Sequence, residues 1–308
     1  MGILKNMEEI SAKRVIKTSL VVDLVDITTN ITVALITGSI SMTAESLQGM
    51  ADLTAVGFLM IGLARSNRPA DRAHPFGFGR EIYFWTLISS IIILGFTATL
   101  SFFLGLQRFL HPEVLDNIQW AFLVLGIAVF TNGYAFSLDV RRILMGRSSA
   151  GIFKEFMQSP RIETKTTFVL DLIGVASAVC GMLSLGAYKL FSNLRFDGVG
   201  AMGIGLALGV LSLFLILGVK DLLIGKRVSK NMEKNIRELA LSFPEVRKVV
   251  DLKTIHSGSG NMFVNLDVNL QNDLTTDQIE KLVNRIKEKI RENIPSSVEL
   301  QIELDTSG

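Results

Sequence analysis

The chain has 308 residues, of which 49% are hydrophobic, and its mean hydropathy is +0.42. This composition is too apolar for an ordinary soluble protein and predicts a membrane protein. The formal net charge of +2 is uninformative about nucleic acid, whereas the single cysteine, Cys180, excludes an intramolecular disulfide framework and a cysteine-rich zinc site. The stretch Met1–Lys17 is polar and lacks a small-residue cleavage pattern, so we expect no removable signal peptide.

Six apolar runs are long enough to cross a hydrocarbon core, which takes about 20 helical residues. They are Val15–Ile36, Ile40–Leu63, Ile82–Leu106, Ile118–Leu138, Thr166–Leu185 and Val199–Ile224. Only Thr37-Gly38-Ser39 separates the first two, which predicts a tight hairpin. On the last run, Ala201, Gly205 and Gly209 form a ridge of small residues that favours close helix packing.

Lysine and arginine residues concentrate in four segments, 5–17, 65–80, 141–161 and 220–230. With six spans, all four segments fall on the same side of the membrane, which the positive-inside rule makes cytoplasmic. The opposite side carries only Arg108, Lys189 and Arg195. We therefore expect a multi-pass membrane protein with both termini in the cytoplasm.

The composition changes sharply after Gly225, which predicts a transmembrane domain over residues 1–225 and a second domain over 226–308. In the second domain Ser229 caps a helix that runs to about Ser242, and Thr275 with Gln278 fits a capping box that opens a helix to about Glu292. Strands are predicted over Val246–Ile255, Met262–Asn269 and Ser297–Leu304. The fold prediction is an all-α six-helix transmembrane bundle followed by a small α+β ferredoxin-like domain of order αββαβ.

Polar side chains occur inside three of the predicted spans. The first span carries Asp23, Asp26 and Asn30, the second carries Glu45, Gln48 and Asp52, and the fifth carries Thr167 and Asp171. The spacings i, i+3, i+7 and i, i+4 place the polar atoms of each span on one helical face. These stripes therefore face a bundle interior.

The carboxylates of the stripes are costly to place in a membrane. Insertion of one Asp at a helix centre costs about 2.5–3.5 kcal/mol, and the five together cost on the order of 10 kcal/mol. No basic residue lies at comparable depth, so protons, mutual hydrogen bonds, water or a bound cation must neutralise them. Carboxyls held protonated for packing alone are one explanation, but ionisable groups within a membrane are by default functional.

The stripes, together with the loop His74-Pro75-Phe76-Gly77-Phe78-Gly79-Arg80-Glu81 before the third span, resemble the cation diffusion facilitator family. The resemblance covers essentially the whole chain, including the six spans and the C-terminal domain. It implies a transporter of divalent metal cations rather than an enzyme, with no cofactor beyond the transported ion.

In that family, two ligands four residues apart on the second helix and two more on the fifth form the transport site. The resemblance carries these roles to Gln48, Asp52, Thr167 and Asp171, although relatives usually have His or Asp where this chain has Gln48 and Thr167. The resulting set offers only oxygen, which suits Mn²⁺, Mg²⁺ or Fe²⁺ better than Zn²⁺. We therefore expect a preference for harder ions, with Asp23, Asp26 or Glu45 supplying extra charge or carrying protons.

The resemblance also implies two further metal-binding regions. Near the loop, Asp71 and His74 match an interfacial site, in which Phe78 replaces an expected His. In the C-terminal domain, metal-binding positions of relatives fall near Asp267, Glu303 and Asp305, with His256 close by. Solvated surface charge is the other explanation for those carboxylates.

The mechanism implied by the resemblance is alternating access driven by proton exchange, with metal efflux from the cytoplasm. Metal and proton compete for carboxylates in a poorly solvated site, so antiport follows naturally. The expected partners are the divalent cation, protons, the lipid bilayer and a second copy in a homodimer, without nucleic acid, and the expected location is the cell membrane. The alternative is a non-transporting family member that acts as a scaffold or heterodimer partner, which the weak ligands Gln48 and Thr167 favour.

Overall fold

The computed structural model describes residues 23–144, 162–294 and 297–305. The chain divides into two compact units. The first comprises Met1–Met60, Thr86–Ser149 and Thr164–Leu217, and the second comprises Ile61–Trp85, Ala150–Glu163 and Gly218–Gly308.

Long helices occupy the part of the described chain that the sequence predicts to be membrane-embedded. They are α1 (23–37), α2 (Ile40–Ser66), α3 (Glu81–Leu110), α4 (Ile118–Leu144), α5 (Ile162–Phe191) and α6 (Arg195–Ile224). Among the described residues, the five helices α2 to α6 are long and apolar enough to cross a membrane. The first predicted span, Val15–Ile36, includes residues 15–22, which lie outside the described residues, so the sixth crossing stays a prediction.

The observed helices extend beyond the predicted apolar runs. α2 continues to Ser66 rather than ending at Leu63, and α5 begins at Ile162 rather than at Thr166. Backbone hydrogen bonds carry a helix into its polar flanks, whereas hydropathy marks only the part that fits the hydrocarbon. The predicted spans on α2 to α6 are therefore the apolar parts of longer helices.

α3 contains a π-helical segment at its centre. The helix is α-helical over Glu81–Ile92, π-helical over Ile93–Ala98 and α-helical again over Thr99–Leu110. The Thr99 hydroxyl donates a 3.0 Å hydrogen bond to Leu94 O, five residues earlier. Such segments are rare and usually form a single turn inside an α-helix.

Glycines bring the backbones of α3 and α6 into direct contact. A Cβ atom at Gly205 would lie 2.5 Å from Phe102 N, and one at Gly198 would lie 2.6 Å from Gly105 O. Real Cβ atoms do not approach other atoms so closely, so only glycine fits at these positions. The predicted ridge of small residues on α6 therefore packs against α3.

The C-terminal part of the second unit follows the predicted αββαβ order. Its elements are α7 (Lys230–Leu241), β1 (Val246–Gly258), β2 (Asn261–Leu270), α8 (Thr276–Asn293) and β3 (Ser297–Leu304). The predicted helix starts are confirmed, since the Ser229 side chain accepts a hydrogen bond from Met232 N and Thr275 forms a capping box with Gln278.

The sheet has the order β1-β2-β3. β1 pairs antiparallel with β2, and β2 pairs in parallel with β3 across the connection through α8. Apolar side chains of α8 at a spacing of four residues, Leu282, Ile286 and Ile290, pack in one core with Val264 and Leu266 of β2. Both helices contribute to this core, so they cover the same face of the sheet.

Candidate functional site

The polar stripe of α2 is buried in the first unit. Glu45 is 1% exposed and Gln48 is 2% exposed. Asp52 Oδ1 is also buried, and no hydrogen-bond donor in the described part of the chain reaches it. A buried carboxylate oxygen without a donor is costly when it is ionised.

The two predicted ligands on α2 contact each other. Gln48 Nε2 donates a short hydrogen bond to Asp52 Oδ2, as expected for side chains four residues apart on one helical face. The amide hydrogens of Gln48 therefore face the Asp52 carboxylate. Metal binding through the Gln48 carbonyl oxygen would require this amide to turn.

The carboxylates of three helices face Asp52. The charges of Asp23 on α1, Asp171 on α5 and Glu45 on α2 all act on the Asp52 carboxylate. Thr167 lies one helical turn before Asp171 on the same face of α5. The structure thus brings Asp52 and Asp171 into one region, together with Asp23 and Glu45, two of the three acidic residues that the sequence predicts as accessories.

The donor types of this region are limited. Within the described ranges, no three His, Cys, Asp or Glu side chains converge closely enough to hold one metal ion. The predicted set contains two carboxylates, an amide and a hydroxyl. It therefore holds only two residues of these four types, Asp52 and Asp171. Oxygen is the only donor element in that set.

The remaining acidic residues of the stripes make their own contacts. Asn30 Nδ2 donates a 3.0 Å hydrogen bond to Asp26 Oδ2 on α1. The Glu45 carboxyl forms a hydrogen bond with the Ser177 side chain of α5, and the charge of Asp26 acts on Glu45. Asp26 and Glu45 therefore lie near each other, one turn of α2 away from Gln48.

The loop residues Asp71 and His74 build a turn. Asp71 Oδ1 accepts hydrogen bonds from Ala73 N at 2.9 Å and from His74 N at 2.6 Å, and it lies 3.2 Å from His74 Nδ1. The His74 backbone N–H is the main cause of a lowered pKa for the Asp71 carboxyl. The His74 ring packs on the Phe78 ring, with 4.3 Å between their centroids. These contacts give both residues a role in ordering the loop.

The same loop packs tightly against β1 and β2 within the second unit. A Cβ atom at Gly79 would lie 2.3 Å from Ser257 O and 3.3 Å from the Gly258 Cα atom. The Phe76 and Phe263 rings meet edge to face, with 5.7 Å between their centroids. The glycine and aromatic residues that make the loop distinctive in the sequence are therefore packing residues.

The candidate residues of the C-terminal domain do not converge on one point. His256 pairs with Met262, which belongs to the hydrophobic core, so its side chain lies on the helix-covered face of the sheet. Asp267 follows the core residue Leu266 and pairs with Glu303, so these two carboxylates lie on the opposite face. The Asp305 backbone N–H donates to Val268 O at 3.0 Å at the end of the sheet.

A lysine accompanies the carboxylates on the face of the sheet opposite α7 and α8. Asp267 also pairs with Asp251 of β1, and Lys253 Nζ lies 3.2 Å from Asp251 Oδ2. The hydrogen bond and charge of Asp251, followed by the charges of Asp267 and Glu303, raise the pKa of Lys253. This cation offsets the row of carboxylates.

Sequence reasoning missed the residue that fixes the start of α2. Asp197, in the first turn of α6, is fully buried and accepts hydrogen bonds from Ser39 Oγ at 2.6 Å, Ile40 N at 2.8 Å and Ser41 N at 3.0 Å. Arg108 of α3 lies 3.9 Å from Asp197 and donates to Gly38 O at 2.7 Å. The only signal in the sequence is one acidic residue at the edge of an apolar run.

Comparisons with known proteins cover nearly the whole chain. The family model of the cation efflux transmembrane domain matches residues 16–224, and that of the cation efflux protein cytoplasmic domain matches residues 228–305. The mouse "Proton-coupled zinc antiporter SLC30A9, mitochondrial" is 28% identical over 228 residues, which are 73% of this chain and 40% of the relative. The chain thus spans well under half the length of that relative.

Two further matches are more distant. The "Cation-efflux pump FieF" of Klebsiella pneumoniae is 24% identical over 222 residues, which are 72% of this chain and 69% of the pump. A solved structure of the MamB CTD magnetosome protein of Desulfamplus magnetovallimortis is 16% identical, with a TM-score of 0.24, and covers 25% of this chain and 93% of its own. Since the transmembrane family model alone matches well over half of the residues, the chain belongs to the cation efflux family, also called the cation diffusion facilitator family.

Proposed function

We propose that this protein transports divalent metal cations across a membrane, in exchange for protons and in the direction of efflux from the cytoplasm. The observation that carries the proposal is the group of acidic side chains around Asp52, on which the charges of Asp23, Glu45 and Asp171 act. Like charges in hydrocarbon are stable only when protons or cations neutralise them. Membership of the cation efflux family supports the same function, as do the names of the two relatives, an antiporter and an efflux pump.

We assign metal binding to Gln48, Asp52, Thr167 and Asp171. The two carboxylates match the charge of a divalent ion, and the Gln48 carbonyl and the Thr167 hydroxyl complete an oxygen donor set. Binding requires the Gln48 amide to turn, which releases its hydrogen bond to Asp52. Oxygen donors favour Mn²⁺, Mg²⁺ or Fe²⁺ over Zn²⁺. The name of the mouse antiporter points to zinc for that protein, so a binding measurement has to decide the ion here.

The proposal includes an assembly and an orientation. Six spans would put both termini on the same side of the membrane, and the family description of the C-terminal domain as cytoplasmic supports the cytoplasm as that side. The ZT_dimer designation of that domain supports a homodimer. We place the protein in the cell membrane, where efflux would remove metal from the cytoplasm.

Metal flux into proteoliposomes tests the proposal. We expect the wild type to carry Mn²⁺ or Zn²⁺ into the vesicles, and Asp52→Ala or Asp171→Ala to reduce the flux to that of protein-free vesicles, because either change removes one of only two charged ligands. Titration of the purified protein with each metal measures the preference. Zinc bound far more tightly than manganese would argue against the preference for harder ions and would leave the transport proposal standing.

Asp221→Ala is the matched control for these variants. Asp221 also lies on a membrane helix, but it is about half exposed near the end of α6 and pairs with Lys226 at 3.4 Å. We expect its flux to equal that of the wild type. Absence of flux in the wild type, with metal binding intact, would instead support the scaffold or heterodimer alternative. Flux that persists unchanged in Asp52→Ala would remove the site assignment.

A further inference from the structure

The Glu45 carboxyl lies in an unusual position for an ionised group. It is 1% exposed, and no hydrogen-bond donor of the described residues reaches its Oε2 atom. Asn30, near Asp26 on α1, is fully buried, and its Oδ1 atom likewise receives no hydrogen bond from the described chain. Both side chains present buried acceptor oxygens where an ionised carboxylate needs donors.

The Ser177 hydroxyl of α5 is a hydrogen-bond donor with two acceptors nearby, Gly174 O and the Glu45 carboxyl. The Ser177 hydroxyl carries one hydrogen, and it donates this hydrogen to Gly174 O at 3.1 Å. The same side chain also forms a hydrogen bond with the Glu45 carboxyl. One hydroxyl hydrogen cannot be given in full to both acceptors, so Glu45 receives only a shared donor, which stabilises a buried carboxylate weakly. Burial with so few donors favours a neutral carboxylic acid at Glu45.

The charged neighbours of Glu45 favour the same form. On α1 the charge of Asp26 acts on Glu45, and on α2 the Asp52 carboxylate interacts with it. On α5 the titratable neighbour is Cys180. No basic side chain of the described chain is among the charges that act on Glu45. An ionised Glu45 would therefore face only like charge.

We propose that Glu45 is the residue that binds the proton exchanged for metal, at a position separate from the metal ligands. In one step the O–H bond of the Glu45 carboxylic acid breaks, the proton passes to water, and the carboxylate remains. In the reverse step the carboxylate takes a proton from water on the other side of the membrane. This inference rests on the proposed transport function, and it adds that proton and metal occupy different residues.

Measurement of metal and proton movement in the same vesicles tests the proposal. The protein is reconstituted with a pH-sensitive dye inside, and Zn²⁺ and Mn²⁺ are each added outside. We expect Glu45→Gln, which keeps the size of the side chain and cannot ionise, to bind metal and to exchange metal for metal. Metal addition to this variant should no longer move protons, and a pH gradient should no longer accelerate metal flux.

Two variants serve as controls. Glu45→Asp keeps an ionisable group and should retain metal-driven proton movement. Asp273→Asn removes an acidic charge from an exposed position in the C-terminal domain and should behave as the wild type. Metal-driven proton movement that persists in Glu45→Gln would overturn the proposal. So would loss of metal binding in that variant, because Glu45 would then be a metal ligand.

Infrared spectroscopy tests the protonated state without transport. We expect the wild type to show the C=O stretching band of a buried carboxylic acid that is absent from Glu45→Gln, and a spectrum unchanged by that substitution would overturn the inference. If the wild type moves no metal at all, the proposed function fails. The C=O stretching band would still show whether Glu45 is protonated. If the wild type moves metal without protons, transport stands and the present inference falls.

Discussion

Asp197 shows how one buried residue can organise several helices. Its carboxylate lies on α6, yet it accepts the backbone N–H groups of Ile40 and Ser41 at the start of α2. This is the role of an N-cap, supplied by another helix, and a negative charge at that position also complements the helix dipole. The contact fixes the end of the helix that carries Gln48 and Asp52.

We expect Asp197→Ala to destabilise the membrane region. The change removes the acceptor of the Ser39 hydroxyl and of the Ile40 and Ser41 N–H groups, and each buried donor left without an acceptor costs about 1–3 kcal/mol. The unfolding temperature in detergent should fall, and metal flux should fall with it. Asp116→Ala, which removes an exposed carboxylate from the segment between α3 and α4, should change neither; an equal loss in both variants would contradict the capping role.

Single residues also show where sequence reasoning succeeds and where it stops. The proximity of Asp52 and Asp171 could be expected because acidic residues in apolar runs violate the rule for membrane spans and should face a common interior. Ser177 gave no such signal, since serine is ordinary in a helix and its importance depends on Glu45, more than 130 residues earlier. Nothing in the sequence indicated that His256 and Asp267 lie on opposite faces of the sheet. The face of each residue depends on how β1 and β2 pair.

At the scale of helices, contact between glycines determines how closely α3 and α6 pack. We expect Gly205→Ala to cost about 1–3 kcal/mol, because the new Cβ atom would lie 2.5 Å from Phe102 N and the two backbones would have to separate. The unfolding temperature of the purified protein in detergent measures the effect.

Gly218→Ala on the same helix is the control for this prediction. No heavy atom lies within 4 Å of the position of its Cβ atom, so the substitution meets no obstacle and gains helix propensity of about 0.5–1 kcal/mol. A rise in unfolding temperature for Gly218→Ala and a fall for Gly205→Ala would agree with backbone contact. Similar rises in both variants would show that α3 and α6 do not touch at Gly205.

The helices and strands differ in how well they could be predicted from their sequences. The start of α8 was predictable because its capping box is local, with Thr275 and Gln278 three residues apart. The π-helical segment of α3 was not, because the run Ile93–Ala98 has the apolar composition of any membrane helix. β1 extends three residues past its predicted end at Ile255 because pairing with β2 continues to Gly258 and Asn261.

For the whole molecule, the number of crossings decides which segments share a compartment. Replacement of the only cysteine by Cys180→Ser allows single cysteines to be introduced at chosen positions. With six spans, a membrane-impermeant thiol reagent should label Glu113→Cys in intact cells. It should label Ser11→Cys and Asn272→Cys only after permeabilisation, because six spans with a cytoplasmic C-terminal domain would put both positions in the cytoplasm.

Position 11 provides the critical comparison in that experiment. It precedes the first predicted span and lies outside the described residues, whereas Glu113 and Asn272 follow helices that the structure describes. Labelling of Ser11→Cys but not of Asn272→Cys in intact cells would mean that an odd number of helices crosses the membrane. The first predicted span would then be wrong, although the assignments on α2 and α5 would remain.

The π-helical segment of α3 also determines how the second half of that helix is rotated about its axis relative to the first half. In a π-helical turn each backbone N–H group bonds to the C=O group five residues earlier, so the turn contains one residue more than an α-helical turn. One extra residue rotates the side chains after Ala98 by about 100° around the helix axis, compared with an uninterrupted α-helix. Gly105, which meets α6, lies on the rotated half. A homologue without the extra residue would turn another side toward α6, and its alignment with this chain should open a one-residue gap between Ile93 and Ala98.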